Sequence, residues 1–260
     1  MKEGFNSTVK IYVVVLLAAC LLFVPSCKES SDESSSGQTE QAEQQVTETS
    51  KDQTVEVSTG TGELVPLDIK LPRPMFVGTP QNIRVPNLEK PLGKPRPAFL
   101  APAGTENVAL GKPVASSDEE PIIGEIEMIT DGDKEAADGS YVELGPFLQD
   151  VIIDLGAEHD IYAILLWHFH KQARVYFDVV VQAGDDADFI TNVRTVFNND
   201  HDNSAGLGIG SDMHYVETSE GKLIDAKGVR ARYVRLYSNG NSSNELNHYI
   251  EVEVFGKPAI

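Results

Sequence analysis

The string Asp131-Gly132-Asp133 sets two carboxylates around a glycine. A hard cation such as Ca2+ takes roughly six to eight oxygens from carboxylates and carbonyls, and a tight turn of this kind can present both. A second chemical string is Trp167-His168-Phe169-His170, at the end of an apolar run. In strand periodicity Trp167 and Phe169 face the core while His168 and His170 face away together, and two imidazoles on one face can bind a transition metal. A cupin-like metal enzyme would add a glutamate a few residues on, but Lys171-Gln172-Ala173-Arg174 follows, so exposed strand histidines are the plainer expectation. Two polar loops, Asn198 to Gly208 and Ser238 to His248, carry Asn, Asp, His and Gly in quantity. Such loops can hydrogen-bond sugar hydroxyls or cations, or simply hold themselves together by Asx turns.

Charge and composition narrow the chemistry. The chain has 260 residues, and 40 acidic against 21 basic side chains give a net charge of -19, which repels phosphate backbones; nucleic acid is excluded as a partner. Cys20 and Cys27 are the two cysteines, so no disulfide framework or thiolate metal cluster is available to the body of the chain. No GxSxG, HExxH or phosphate loop occurs, and no pair of acids stands out as a matched acid and base.

Four segments position these residues. Residues 1–26 carry Lys2 and Lys10 followed by the apolar run Ile11 to Val24, which is shorter than the ~20 residues a spanning helix needs and reads as a signal peptide. Val24-Pro25-Ser26-Cys27 resembles the lipobox of bacterial lipoproteins. That resemblance implies cleavage before Cys27, lipidation of its sulfur and a membrane anchor; Lys28 after the cysteine points to the bacterial outer membrane. Residues 27–65 are acidic, Ser/Glu/Gln-rich and nearly free of large apolar side chains, the composition of a disordered stalk. Residues 66–105 are Pro-rich but interleaved with Leu71, Met75, Phe76, Leu88, Phe99 and Leu100. They form either an extended strap that docks on the domain or a partner, or an undocked stiff linker. Residues 106–260 show short apolar runs separated by turn residues, among them Val151 to Leu155, Ile161 to Phe169, Val175 to Val181, Ala231 to Tyr237 and Tyr249 to Phe255. No helical stripe of three turns occurs, so an all-β sandwich or barrel is expected. Within Val175 to Gln182 the alternation puts Val175, Phe177, Val179 and Val181 on one face and Tyr176, Asp178 and Gln182 on the other.

In order along this last segment stand Asn107-Val108-Ala109-Leu110-Gly111-Lys112-Pro113, Ile129-Thr130-Asp131-Gly132-Asp133, Val151-Ile152-Ile153-Asp154-Leu155-Gly156, Ala231-Arg232-Tyr233-Val234-Arg235-Leu236 and Ile250-Glu251-Val252-Glu253-Val254-Phe255-Gly256. Together they resemble a discoidin domain, also called F5/8 type C or galactose-binding-like, in bacteria often a family 32 carbohydrate-binding module. The resemblance implies a jelly-roll β-sandwich with a structural Ca2+ held by the Ile129 or Thr130 carbonyl, Asp131, Asp133, Ser140, the Ile250 carbonyl and Glu251. Many members close the loop after the acidic turn with Trp. Here Tyr141 is the counterpart, and the longer loop makes Asp138 an alternative to Ser140. The resemblance further implies a sugar site on rim loops, for which His170, Arg174, His201, Asp202, Asn239 and Asn241 are the candidates. The expected function is a non-catalytic surface lipoprotein that binds a glycan or another envelope component. A structural module that packs on a partner protein, and a metal enzyme, are the competing readings.

Overall fold

The computed structural model describes residues 63–78, 80 and 82–260. The chain divides into two units, Met1–Val57 and Ser58–Ile260, and the described residues belong to the second. The expected signal peptide, Cys27 and most of the acidic segment lie outside them.

The described chain is all-β. Its strands are β1 (Leu64–Pro66), β2 (Leu100–Pro102), β3 (Glu106–Asn107), β4 (Val114–Ser116), β5 (Val142–Pro146), β6 (Gln149–Trp167), β7 (Val180–Gly184), β8 (Arg194–Asn198), β9 (Lys222–Ser238), β10 (Leu246–Tyr249) and β11 (Glu251–Pro258), with one 3-10 helix at Ile126–Thr130. A seven-stranded sheet runs β3-β11-β6-β9-β7-β8, with β4 added on β6; β10 pairs with β5, and β1 with β2. Every named pair is antiparallel. No helix of the described residues is long and apolar enough to cross a membrane.

The long pair β6–β9 organises the sandwich. Two runs that read as separate strands in the sequence, Val151 to Leu155 and Ile161 to Phe169, join in β6 as far as Trp167, and the register slips between Asp154 and His159 and again between Ile161 and Ala163. Such slips bend a strand and re-aim its side chains. Accordingly Val151, Ile153 and Leu155 before the bend and Ile161, Ile164 and Leu166 after it line one core with Val234, Leu236, Val252 and Val254. The outer face of the first half of β6 and of its β9 partners is polar. Arg232 grips Asp154 at 2.8 and 2.7 Å, and Arg235 grips Asp150 at 2.9 Å through both nitrogens.

The alternation expected over Val175 to Gln182 fails. Asp178 sits at φ +48, so the strand begins only at Val180 and Tyr176 turns inward to 1% exposure. The histidine string departs as well: His168 and His170 are both fully buried rather than exposed, because the loop after β6 folds under the acidic turn and the segment that carries Glu217.

The Pro-rich segment is packed on the sandwich. Leu67, Ile69 and Phe99 lie against a second apolar cluster of Ala163, Leu165, Trp167, Phe169, Ile250 and Phe255. Further along, the Glu89 N–H donates to the His214 carbonyl at 2.8 Å and the His214 N–H donates to the Asn87 carbonyl at 3.0 Å. Lys222 pairs with Glu89 at 2.8 Å, and Arg96 donates to the Gly221 carbonyl at 3.0 Å. Gly221 has φ +63, and a Cβ there would stand 2.7 Å from the Trp167 ring.

Candidate functional site

Strand pairing brings β10 beside β5 with His248 opposite Glu143, and the loop after β6 swings Phe169 and Arg174 to the same place. His248 Nε2 lies 3.0 Å from Glu143 Oε2 and 3.3 Å from Arg174 Nη1. Burial, Arg174 and His168 hold the His248 pKa down at about 3, so the ring is neutral. A neutral ring with its proton on Nε2 donates to Glu143 and leaves the Arg174 guanidinium beside the carboxylate rather than bonded to the ring. Burial raises the Glu143 carboxyl and Arg174 lowers it. The guanidinium stacks 4.7 Å over Phe169. Phe169 in turn meets Tyr141 at 4.8 Å between ring centres, and Tyr141 is half-buried. The result is one partly exposed ring, Tyr141, beside the buried Phe169, a largely buried arginine whose Nη2 donates to Gln172 Oε1 at 3.4 Å, and a carboxylate acceptor. That combination stacks on a sugar ring and hydrogen-bonds adjacent hydroxyls.

Of the six residues expected to contact a sugar, Arg174 alone belongs to this cluster. His170 is sealed, with Nε2 at 2.9 Å from the Lys134 carbonyl. Asn241 closes its own loop, donating to Asn244 at 2.7 Å and to the Leu246 carbonyl at 2.9 Å. Asn239, Asp202 and His201 gather elsewhere, around Asp178: Asn239 Nδ2 and Ser204 Oγ both donate to Asp178 Oδ2 at 2.8 Å, and Asp202 accepts the Ser204 N–H at 3.0 Å. Sequence reasoning passed over Glu143, Phe169 and His248. Their signal is a strand register across 105 residues, which no local pattern carries.

The acidic turn is a second site. Asp131 Oδ1 accepts the Asp133 N–H at 2.7 Å, Asp133 Oδ1 accepts the Glu135 N–H at 3.0 Å, and Gly132 donates across the fold to Glu251 Oε2 at 3.1 Å. Glu251 and Glu253 share a face as expected, and Lys134 takes Glu253 at 2.6 Å. Glu251 is fully buried and its Oε1 has no partner among the described residues. Burial, with the neighbouring charges of Glu253 and Asp131, pushes its pKa up to about 9. A buried carboxyl with a free oxygen and two acids beside it fits a hard cation, which would stabilise its ionised form. Ile129 and Ile250 are buried against the core, Thr130 has its carbonyl occupied by the Gly111 N–H at 2.6 Å, and Ser140 donates its N–H to the Ala137 carbonyl at 3.2 Å.

No family model matches the chain, and no curated protein matches it. Solved structures do. A family 89 glycoside hydrolase from Clostridium perfringens in complex with 2-acetamido-1,2-dideoxynojirmycin is similar at 22% identity over 59% of this chain and 15% of that one, with a TM-score of 0.43. The chain thus spans about a seventh of that enzyme's length. Chitosan-binding module 1, from a chitosanase/glucanase of Paenibacillus sp. IK-5, is similar at 20% identity over 58% of this chain and 99% of the module, with a TM-score of 0.40. A fucose-binding module of Streptococcus pneumoniae follows at 18% identity, 57% and 96% coverage and a TM-score of 0.40.

Proposed function

We propose that the domain binds a saccharide, without catalysing a reaction, at the cluster formed by Tyr141, Glu143, Phe169, Arg174 and His248. The observation that carries this reading is the Arg174 guanidinium, stacked 4.7 Å over Phe169 and set beside Glu143 through His248. It offers donors and an acceptor next to an aromatic edge. The sequence resemblance to discoidin-like modules points the same way. Residues 106 onward carry 11 basic and 28 acidic side chains, a net of -17, so a neutral saccharide escapes the long-range repulsion that an anionic one meets. Titration calorimetry of the purified chain against neutral and sulfated polysaccharides tests this. Binding of a neutral member, weakened in Arg174→Ala, is expected; binding to the sulfated set alone overturns the ligand class, and undiminished binding by the variant overturns the site.

Around this site we place two further elements of the same reading. Ca2+ would be held by Asp131 and Glu251, and a cation bound only by the folded state stabilises it by about 2.7 kcal/mol at a hundredfold excess over Kd. Chelation is therefore expected to lower the melting temperature of the wild type and not that of Glu251→Gln. Lipidation of Cys27 would anchor the chain in the bacterial envelope, with the acidic segment as its stalk. Fatty-acid labelling that disappears in Cys27→Ser is the expected result.

A further inference from the structure

Phe147 stands at the turn between β5 and β6 with φ +69 and is 78% exposed. Every other aromatic side chain among the described residues is buried or half-buried. A left-handed backbone is ordinary for Asn and Asp but strained for a bulky residue, and it persists only where the surroundings impose it. Here they do: the fully buried Asn247 donates through Nδ2 to the Gly145 and Phe147 carbonyls, both at 2.9 Å, and fixes the turn from the neighbouring strand. Phe189 has a similar backbone, φ +53, but its ring lies against Gly184, where a Cβ would stand 3.1 Å from it, and Arg235 sits 5.6 Å from its centre. That packing offsets its strain. The Phe147 ring has no ring or cation contact among the described residues. A glycine or asparagine would make the same turn without the strain and without an apolar ring in water, so the turn alone does not account for a phenylalanine.

Its place on the strand says what the ring could meet. Val142 and Leu144 of β5 are buried in the core, so Glu143 and Gly145 take the outer side, and Phe147 follows them at the end. Glu143 already belongs to the saccharide cluster. Four strand steps of ~3.3 Å separate it from Phe147, a span of about 13 Å, longer than one sugar ring. Between the two the surface is polar. The Gly145 N–H donates to Asp118 Oδ2 at 2.8 Å, and a Cβ on Gly145 would stand 3.3 Å from that oxygen. Gln149 accepts the Ser117 hydroxyl at 2.6 Å and donates to the Pro146 carbonyl at 3.1 Å. A protein anchor sits in an apolar surround. The residues flanking Phe147 are instead bonded by a carboxylate and an amide. Aromatic rings at the two ends, Tyr141 and Phe147, with carboxylate, amide and hydroxyl groups between them, match linked sugar rings whose faces stack and whose hydroxyls bond to the sides.

We propose, resting on the saccharide reading above, that the site continues along β5 to Phe147, whose ring is a second stacking platform, and that the domain therefore takes a chain of several sugars rather than a single one. Asn247 is then a positioning residue that holds the platform out from the fold.

The test titrates the whole chain by calorimetry with neutral glucan, xylan, mannan, galactan and N-acetylglucosamine series, each from monosaccharide to hexasaccharide. Affinity for at least one series is expected to rise roughly three- to tenfold between disaccharide and tetrasaccharide, the worth of one aromatic stacking contact. Phe147→Ala should abolish that rise with length and Phe147→Tyr should keep it. Phe147→Gly should melt at or above the parent temperature, because it relieves the left-handed strain and removes no packing. A rise with length that is equal in the parent and Phe147→Ala, or no rise at all, overturns the platform and leaves the saccharide site standing. Binding of no series at any length overturns the saccharide reading and the extension with it. A lower melting temperature for Phe147→Gly would assign the ring to the fold, and self-association of the parent that is lost in Phe147→Ala would assign it to a second copy; either overturns the proposal.

Discussion

Two histidine–glutamate pairs stand close together in this molecule and do different things. His168 Nδ1 meets Glu217 Oε1 at 2.7 Å with both side chains fully buried, under Tyr176, whose ring stacks 4.1 Å from the imidazole, and beside Tyr215. His248 meets Glu143 at 3.0 Å at the edge of the fold, where the glutamate keeps 14% of its side chain in solvent and Arg174 stands alongside. Inside, the only groups that can answer the pair are the protein's own, so the pair fixes how the loop after β6 packs on the segment around Glu217. At the edge, the same two residue types leave a carboxylate in reach of solvent, with Arg174 behind it. Residue identity does not separate the sealed pair from the one at the edge; access to solvent and a neighbouring cation do.

The comparison breaks most readily at the buried pair. Glu217→Ala would leave His168 Nδ1 only the distant Tyr215 hydroxyl at 3.4 Å, and about 3 kcal/mol of stability is expected to go with the lost carboxylate. Glu143→Ala should cost less than half as much, because water can replace its carboxylate. Denaturant midpoints of the two variants measure this, and equal losses would erase the distinction between inside and edge.

Acid sharpens it next. A histidine held at about 3 in the folded state and near 6.5 in the unfolded chain is protonated by the unfolded ensemble first. The share of stability owed to keeping His248 neutral is complete above pH 6.5 and declines as pH falls toward about 3, at ~1.4 kcal/mol for each unit of the difference actually traversed. His248→Gln can still donate to Glu143 but has no proton to gain, so its stability should fall less steeply between pH 6.5 and 4. Parallel slopes for the two proteins would show that the ring is not kept neutral by its surroundings.

The smaller effects concern the edge alone. Arg174→Lys keeps the charge but loses the planar fork, and its saccharide affinity should fall by roughly three- to tenfold, the value of about one net hydrogen bond. Lys171→Ala removes the exposed Lys171–Asp138 ion pair, in which Asp138 is 93% exposed, and should change stability by less than ~0.5 kcal/mol. A larger loss there would mean that the loop before Tyr141 depends on this pair.

How much of this was legible before the coordinates varies with the range of the interaction. The all-β class followed from the absence of a helical stripe and from runs such as Val151 to Leu155, whose inward and outward residues fall as periodicity requires. The first half of β9 was missed because Lys222 to Val229 mixes Asp225 and Lys227 with Ile224 and Ala226, and its alternation is interrupted by Lys227 at φ +55. The short contacts of the acidic turn were readable, since an Asx turn spans two residues. Arg174 was named on its chemistry, but its partners come from β5 and β10, which only the register of a non-local ladder aligns. His214 attracted no notice at all; its backbone bonds go to a strap more than a hundred residues earlier.

The strap gives the domain a mechanical order of events. A pull applied at Glu63 travels through the backbone and meets its fastenings in sequence. It reaches first the three-residue ladder of β1 on β2, then Leu67 and Ile69 in their apolar seats, then the clasp at Asn87 and Glu89 on His214, and then Arg96 on Gly221. The long strands β6 and β9 lie behind all of these. The proline-rich stretch is therefore expected to yield as a series of weak fuses ahead of the sandwich, which single-molecule pulling from residue 63 would show as several small extensions before the main one.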